Sequence, residues 1–213
     1  MPFGNQDNQD PDGILKRVFM VSIAVTGGIA CGKSLFCKFL SSMGAETVDT
    51  DAIVKGLHEP GMKGAKSVES VFGSEFLLPS GATDRAALGA LVFSDESALK
   101  RLEDLLHPLV KEELSKWREK SGAEVKVAQI PLLFEKGWDI EWDVTVCVTA
   151  PEDVRMSRLL ARGLTKDEAE KRISAQMTSA QKAALADIVI NNDGTETELE
   201  ATARELLTHL ENK

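Results

Sequence analysis

Residues 27–34 read Gly-Gly-Ile-Ala-Cys-Gly-Lys-Ser and match G-x-x-x-x-G-K-[ST], a loop that cradles phosphate. The motif restricts the fold because it needs a strand before it and a helix after it. Val21-Ser-Ile-Ala-Val25 is apolar and β-branched, as a buried parallel strand should be. Leu35 to Met43 carries apolar Leu35, Phe36, Phe39, Leu40 and Met43 and predicts a helix. Backbone N–H groups of the loop and of that helix's first turn would then face an anion. Gly27 and Gly32 allow dihedrals and approaches that a Cβ blocks. Gly28, Ile29, Ala30, Cys31 and Leu35 complete the predicted nucleotide-binding stretch. Lys33 is placed to reach the β- and γ-phosphates, and Ser34 to hold Mg²⁺.

The chain has 213 residues, enough for one α/β domain with a helical insertion. A net charge of −9 argues against sequence-independent binding to nucleic acid or anionic lipid, which calls for a basic face. No apolar run approaches the roughly 18 residues of a membrane span. The three cysteines, Cys31, Cys37 and Cys147, fit neither a metal template nor a closed disulfide framework, so a reduced cytoplasmic protein is the simple reading. Cys31 stands at a helix N-terminus, where a thiol pKa can fall. The motif leaves its side chain free, which makes it a loop filler. Residues 1–17 are predicted as a disordered tail, the first 13 being polar and aperiodic.

Strands are further predicted at 45–48, 125–130, 144–149 and 187–190, and helices at 84–93, 95–117, 153–162, 166–177 and the C-terminus. Pro151 is expected at the first turn of its helix. Residues 52–121 have little strand character and predict a helical insertion. Residues 18–51 and 122–213 form the predicted core, with a lid at about 155–180. The alternation of strands and helices implies a three-layer α/β/α domain with a parallel sheet.

Asp49-Thr50-Asp51 ends the second strand, at the sheet edge where α/β proteins bind ligands. Two carboxylates there suit proton abstraction from a hydroxyl and help with Mg²⁺. Asp51 before Ala-Ile-Val is also good helix-capping chemistry. Arg158 and Arg162 share a helix face at i, i+4 spacing, and paired guanidiniums suit phosphoryl transfer as well as a solvated surface.

A set of segments carries a family resemblance. They are Val25–Ser34, Val48-Asp-Thr-Asp51, Glu59-Pro-Gly61, Leu106-His-Pro-Leu-Val110 and Ile130-Pro-Leu-Leu-Phe-Glu135. Arg158-Leu-Leu-Ala-Arg162, Ile173-Ser-Ala-Gln176 and Ala186–Ile190 with Asn192 continue it. In that order, over residues 20 to about 210, the chain resembles dephospho-coenzyme A kinases. The resemblance implies ATP-dependent phosphorylation of the ribose 3′-hydroxyl of dephospho-CoA, the last step of coenzyme A synthesis. It implies Asp51 as base with Asp49 beside it, Arg162 as leading lid arginine with Arg158 in support, and Asn192 beside the adenine. Lys55 and His107 would meet the acceptor from the insertion, where Lys63 and Lys66 are further cations. A monomer is favoured.

Three positions depart from the family pattern: Lys55 stands where Arg is common, Gln129 where many members have Asp, and the turn after Arg162 is one residue shorter. Two other functions share parts of the pattern. A kinase of a nucleoside monophosphate, shikimate or gluconate would share the loop and lid but not the His-Pro and Pro-Leu-Leu-Phe-Glu segments. A GTPase-type switch would carry an Asn-Lys-x-Asp segment, which is absent from this sequence.

Overall fold

In a computed structural model, the structure describes residues 20–120 and 122–211; the predicted tail at 1–17 lies outside them. Five strands form one parallel sheet: β1 (Val21–Thr26), β2 (Glu46–Asp49), β3 (Val125–Gln129), β4 (Val144–Thr149) and β5 (Ile188–Asn191). Their order across the sheet is β2-β3-β1-β4-β5. All four pairings are parallel, with β1 central between β3 and β4. Parallel strands need crossovers, and helices supply them.

Strand alternation sends alternate residues to two apolar layers. Ile23, Val25, Val127, Val146 and Val148 face one layer. There α1 (Lys33–Ser42) contributes Phe36 and Leu40, and the C-terminal α9 (Glu196–Glu211) contributes Leu199, Ala203 and Leu206. Ala24 and Ala128 face the other, against Leu57 of α2 (Thr50–Leu57) and Val110 and Leu114 of α5 (Glu96–Glu119). The domain is therefore the three-layer α/β/α sandwich expected.

Between β2 and β3 the chain is helical: α2, α3 (Lys63–Phe72), α4 (Arg85–Ser94) and α5. The sequence reading located α4 and α5 but did not separate α2 and α3. β-branched Ile53 and Val54 mask the first, and Gly64 interrupts the second. Gly64 is needed where it stands, since a Cβ there would meet the Leu57 carbonyl oxygen at 2.4 Å. Asp84 and Asp95 are N-caps rather than first residues. Each accepts hydrogen bonds from two backbone N–H groups of the helix that follows.

Past β4 come α6 (Glu152–Ala161), α7 (Lys166–Ser174) and α8 (Ser179–Leu185). Pro151 is the N-cap of α6, one position earlier than expected. The predicted helix over 166–177 ends at Ser174, and α8 was not anticipated. Thr178 starts the next helix with a capping box to Gln181.

Candidate active site

The chain leaves β1 through Gly27, whose φ of 145° and 2.1 Å approach of a hypothetical Cβ to the Val148 carbonyl oxygen admit only glycine. Gly32 caps α1 in the left-handed region at φ 97°, and a Cβ there would lie 2.0 Å from Asn192 Nδ2. The first N–H groups of α1 therefore open onto a cavity of about 520 Å³ with no side-chain cap competing for them. Ile29, Ala30, Gly32, Lys33, Ser34, Leu35, Asp51, Arg158, Arg162 and Asn192 all line it.

Lys33 Nζ donates to the carbonyls of Gly27 at 3.0 Å and Gly28 at 2.9 Å. Burial holds its pKa below the ordinary lysine value; the nearby Lys182 charge also lowers it, while the thiol of Cys31 and the carboxylate of Asp51 oppose the shift. Asp51 has its carboxyl pKa raised, first by partial burial, then by the charge of Asp49, with Lys33 opposing. A carboxyl raised and an ammonium lowered by burial in one cavity mark both as candidate functional groups.

Asp49, not Asp51, is the N-cap of α2. Its Oδ1 accepts from the Asp51 backbone N–H at 3.0 Å, and its Oδ2 from Gln129 Nε2 at 3.1 Å. Both oxygens are thus engaged, and Asp49 does not line the cavity. Gln129 ends β3 and supplies a neutral donor to Asp49 rather than a third negative charge.

Arg158 is more tied down than a solvated face predicts. Its guanidinium donates to the carbonyls of Ala30 at 3.2 Å and Asn192 at 3.1 Å. Asn192 in turn donates from Nδ2 to the Cys31 carbonyl at 2.8 Å. Arg162, exposed at the C-terminal end of α6, also faces the cavity. The helix carrying these arginines, α6, rests with α7 on the loop itself. Ala30, Leu159 and Ala169 form a small apolar cluster with Ile29, Met156, Leu164 and Ile173 packed around it.

Lys55 and His107 stand apart from this cavity. The half-buried His107 ring packs edge-on to Trp138, centroids 5.4 Å apart, with its pKa lowered first by burial and then by Lys136. Lys63 pairs with Glu112 at 2.6 Å. The Cys31 side chain is fully buried and turned inward, its Sγ 4.0 Å from Ser179 Oγ, so only its backbone serves the loop. Burial pushes the Cys37 thiol up to about 12 and the Cys147 thiol up to about 11, which marks both as unreactive.

Sequence reasoning missed Gln176 as a site residue, although it closes one of the resembling segments. Its Oε1 accepts from the Ile29 backbone N–H at 3.0 Å, and it lines the cavity. Gln129, Pro131, Gly194 and Glu196 line it too. Gln129 and Pro131 entered the sequence reading only as parts of the family pattern, and a glycine three residues past β5 is too common a signal to single out.

The dephospho-CoA kinase family pattern matches residues 21–198. The chain belongs to the dephospho-CoA kinase family. A dephospho-CoA kinase of Geobacter sulfurreducens is 40% identical over 189 residues, 86% of this chain and 95% of that one. One of Thermobifida fusca is 38% identical, over 91% and 98% of the two chains. The crystal structure of a Thermus thermophilus protein superposes with a TM-score of 0.78 at 36% identity, covering 89% of this chain and 97% of that one. Dephospho-CoA kinase from Campylobacter jejuni superposes at 0.66 and 26% identity, covering 89% and 96%. A shikimate kinase from Acinetobacter baumannii, 14% identical with a TM-score of 0.55 over 91% of this chain and 95% of that one, shares the fold. Membership makes the chain a P-loop kinase that phosphorylates dephospho-CoA in coenzyme A synthesis. No helix among the described residues is long and apolar enough to cross a membrane.

Proposed function

We propose that the cavity binds ATP with its triphosphate on loop 27–34 and presents the ribose 3′-hydroxyl of dephospho-CoA to the γ-phosphate beside Asp51. The observation that carries this reading is that Lys33, Ser34, Asp51, Arg158 and Arg162 line one continuous cavity. In it Asp51 accepts the hydroxyl proton, Lys33 and Arg162 meet the charge on the transferring phosphoryl group, and Arg158 and Asn192 hold the loop in shape. The walls at Asn192 and Gly194 take the adenine.

The donor set also fits Mg²⁺. The Ser34 hydroxyl and the Asp51 carboxylate are hard oxygen ligands, and among the described residues no group of three or more His, Cys, Asp or Glu forms a metal cage. One or two protein oxygens together with nucleotide phosphates would suffice to hold the ion. When bound, Mg²⁺ would neutralise charge on the β- and γ-phosphates.

Residues 52–121 are read as the acceptor insertion and about 155–180 as the lid, with Lys55 and His107 meeting parts of the acceptor remote from the reacting hydroxyl. The protein is read as a cytoplasmic monomer, for which light scattering is the direct measurement. The activity test offers ATP and Mg²⁺ with dephospho-CoA, AMP, shikimate or gluconate. Dephospho-CoA should exceed the others by at least an order of magnitude in kcat/KM, since binding energy from its remote parts aligns the hydroxyl. Rapid turnover of AMP with none of dephospho-CoA would reject the acceptor assignment.

A further inference from the structure

Lys182, on α8, is fully buried. Lysines are almost never enclosed unless their charge is paired. Its Nζ donates to the Pro131 carbonyl at 2.5 Å and lies 2.7 Å from Glu135 Oε1. Thr26 Oγ1, at the end of β1, donates to the same carbonyl at 3.2 Å. Pro131 lines the catalytic cavity. The Pro131 carbonyl, in the turn that follows β3, thus accepts from both α8 and the last residue of β1.

A buried ion pair is a weak source of stability, because well-packed apolar side chains commonly replace one at no loss. What it does supply here is fixed geometry. The segment bearing Arg158 and Arg162 is held to the phosphate loop by Arg158 on the Ala30 carbonyl. It is held again by Gln176 under the Ile29 N–H. Past that point the chain turns through Thr178 into α8, where Ser179 Oγ lies 3.1 Å from where a Cβ of Gly28 would stand. Lys182 is a further polar attachment, and it reaches Pro131, which lines the cavity. Without it, α8 would keep its contacts with β4 and the Ser179–Cys31 contact, and the Pro131 carbonyl would keep only Thr26 of these two donors.

We propose that Lys182 is a positioning residue for phosphoryl transfer, locking the exit of the arginine-bearing segment to the Pro131–Glu135 turn that walls the phosphate cavity. Lys182 touches neither nucleotide nor acceptor in this arrangement. It acts by keeping Arg158, Arg162 and the loop in register with Pro131, and a misplacement of about 1 Å at such a site costs roughly a hundredfold in rate. The inference rests on the phosphoryl-transfer reading above.

The test compares Lys182→Met, Lys182→Arg and Glu135→Gln with the unaltered full chain. Each is followed by steady-state kinetics with ATP and dephospho-CoA, thermal unfolding, and amide hydrogen exchange of residues 152–185 with and without ATP. In folded Lys182→Met, kcat should fall at least tenfold while KM for both substrates stays within about threefold. Lys182→Arg, which keeps the charge and two donors, should recover a substantial part. ATP should protect residues 152–185 in the unaltered chain and protect them less in Lys182→Met. If Lys182→Met does not fold, Glu135→Gln keeps the shape and carries the same expectations of lower kcat and unchanged KM. Unchanged kcat in folded Lys182→Met, or in Glu135→Gln where Lys182→Met does not fold, would overturn the proposal, as would ATP protection equal to that of the unaltered chain. Should the unaltered chain not turn over dephospho-CoA while its ATP protection still depends on Lys182, the acceptor reading fails and the positioning role stands.

Discussion

At the scale of single residues, the site is a balance of three charges with unequal freedom. Lys33 is held by two loop carbonyls, Asp49 by a backbone N–H and Gln129, and Asp51 is left facing the cavity. Lys33→Met should fold normally and lose about 10²–10³ in kcat, as expected when a fixed charge on a transferring phosphate is removed; a coupled ADP-release assay on the folded variant reads this. Asp51→Asn keeps the shape but not the basicity, and should lower kcat by about 10²–10⁴ with ATP binding nearly intact, measured by calorimetric titration. The pH dependence has a definite sign. Burial and the Asp49 charge raise the Asp51 pKa, so the base becomes active only above an ordinary aspartate's range. Asp49→Asn removes the like charge while keeping good capping chemistry. It should therefore move the acid limb of the kcat–pH profile to lower pH, and a shift upward would reverse the assignment of the two carboxylates. The motif made Lys33, Ser34 and the glycines readable in one dimension. That Asp49 is restrained while Asp51 is left facing the cavity was not, because it turns on Gln129, 80 residues away in sequence and opposite Asp49 in the sheet.

At the scale of elements, helix ends are where local chemistry and long-range packing meet. The caps Asp84, Asp95 and Thr165 are local, so their helices begin within a residue of where short sequence patterns indicate. The C-terminal end of α5 is decided differently. Lys126, on β3 and fully buried, sends Nζ to the carbonyls of Trp117 at 2.7 Å and Arg118 at 3.2 Å, and also to that of Lys120. A lysine in a strand reads as a solvent-facing position, yet this one caps a 24-residue helix from the sheet. Lys126→Met should cost about 1–3 kcal/mol in urea unfolding, since three helix-end carbonyls lose a buried, charged donor. A change below about 0.5 kcal/mol would show that water replaces it.

At the scale of the whole molecule, the parallel order β2-β3-β1-β4-β5 brings the C-terminal ends of the strands and the loops after them to one edge of the sheet. There the phosphate loop after β1, Asp51 after β2, Pro131 after β3 and Asn192 after β5 line one cavity. Saturating ATP at about 100 times its dissociation constant should add about 2.7 kcal/mol to stability. That corresponds to a rise in Tm of roughly 5–10 °C for a chain this size, and the rise should shrink in Gly32→Ala, whose Cβ would displace Asn192 from the loop. By itself the sequence determined the strand-loop-helix phosphate site, the parallel α/β class and the family, because these depend on contiguous residues and on the period of apolar positions. Tertiary structure alone decided that Gln129 restrains Asp49, that Gln176 and Arg158 grip the loop, and that Lys182 reaches Pro131. Each of those contacts joins residues tens of positions apart, and no local preference specifies which distant carbonyl or carboxylate a buried polar side chain will meet once the two apolar layers have closed on the sheet.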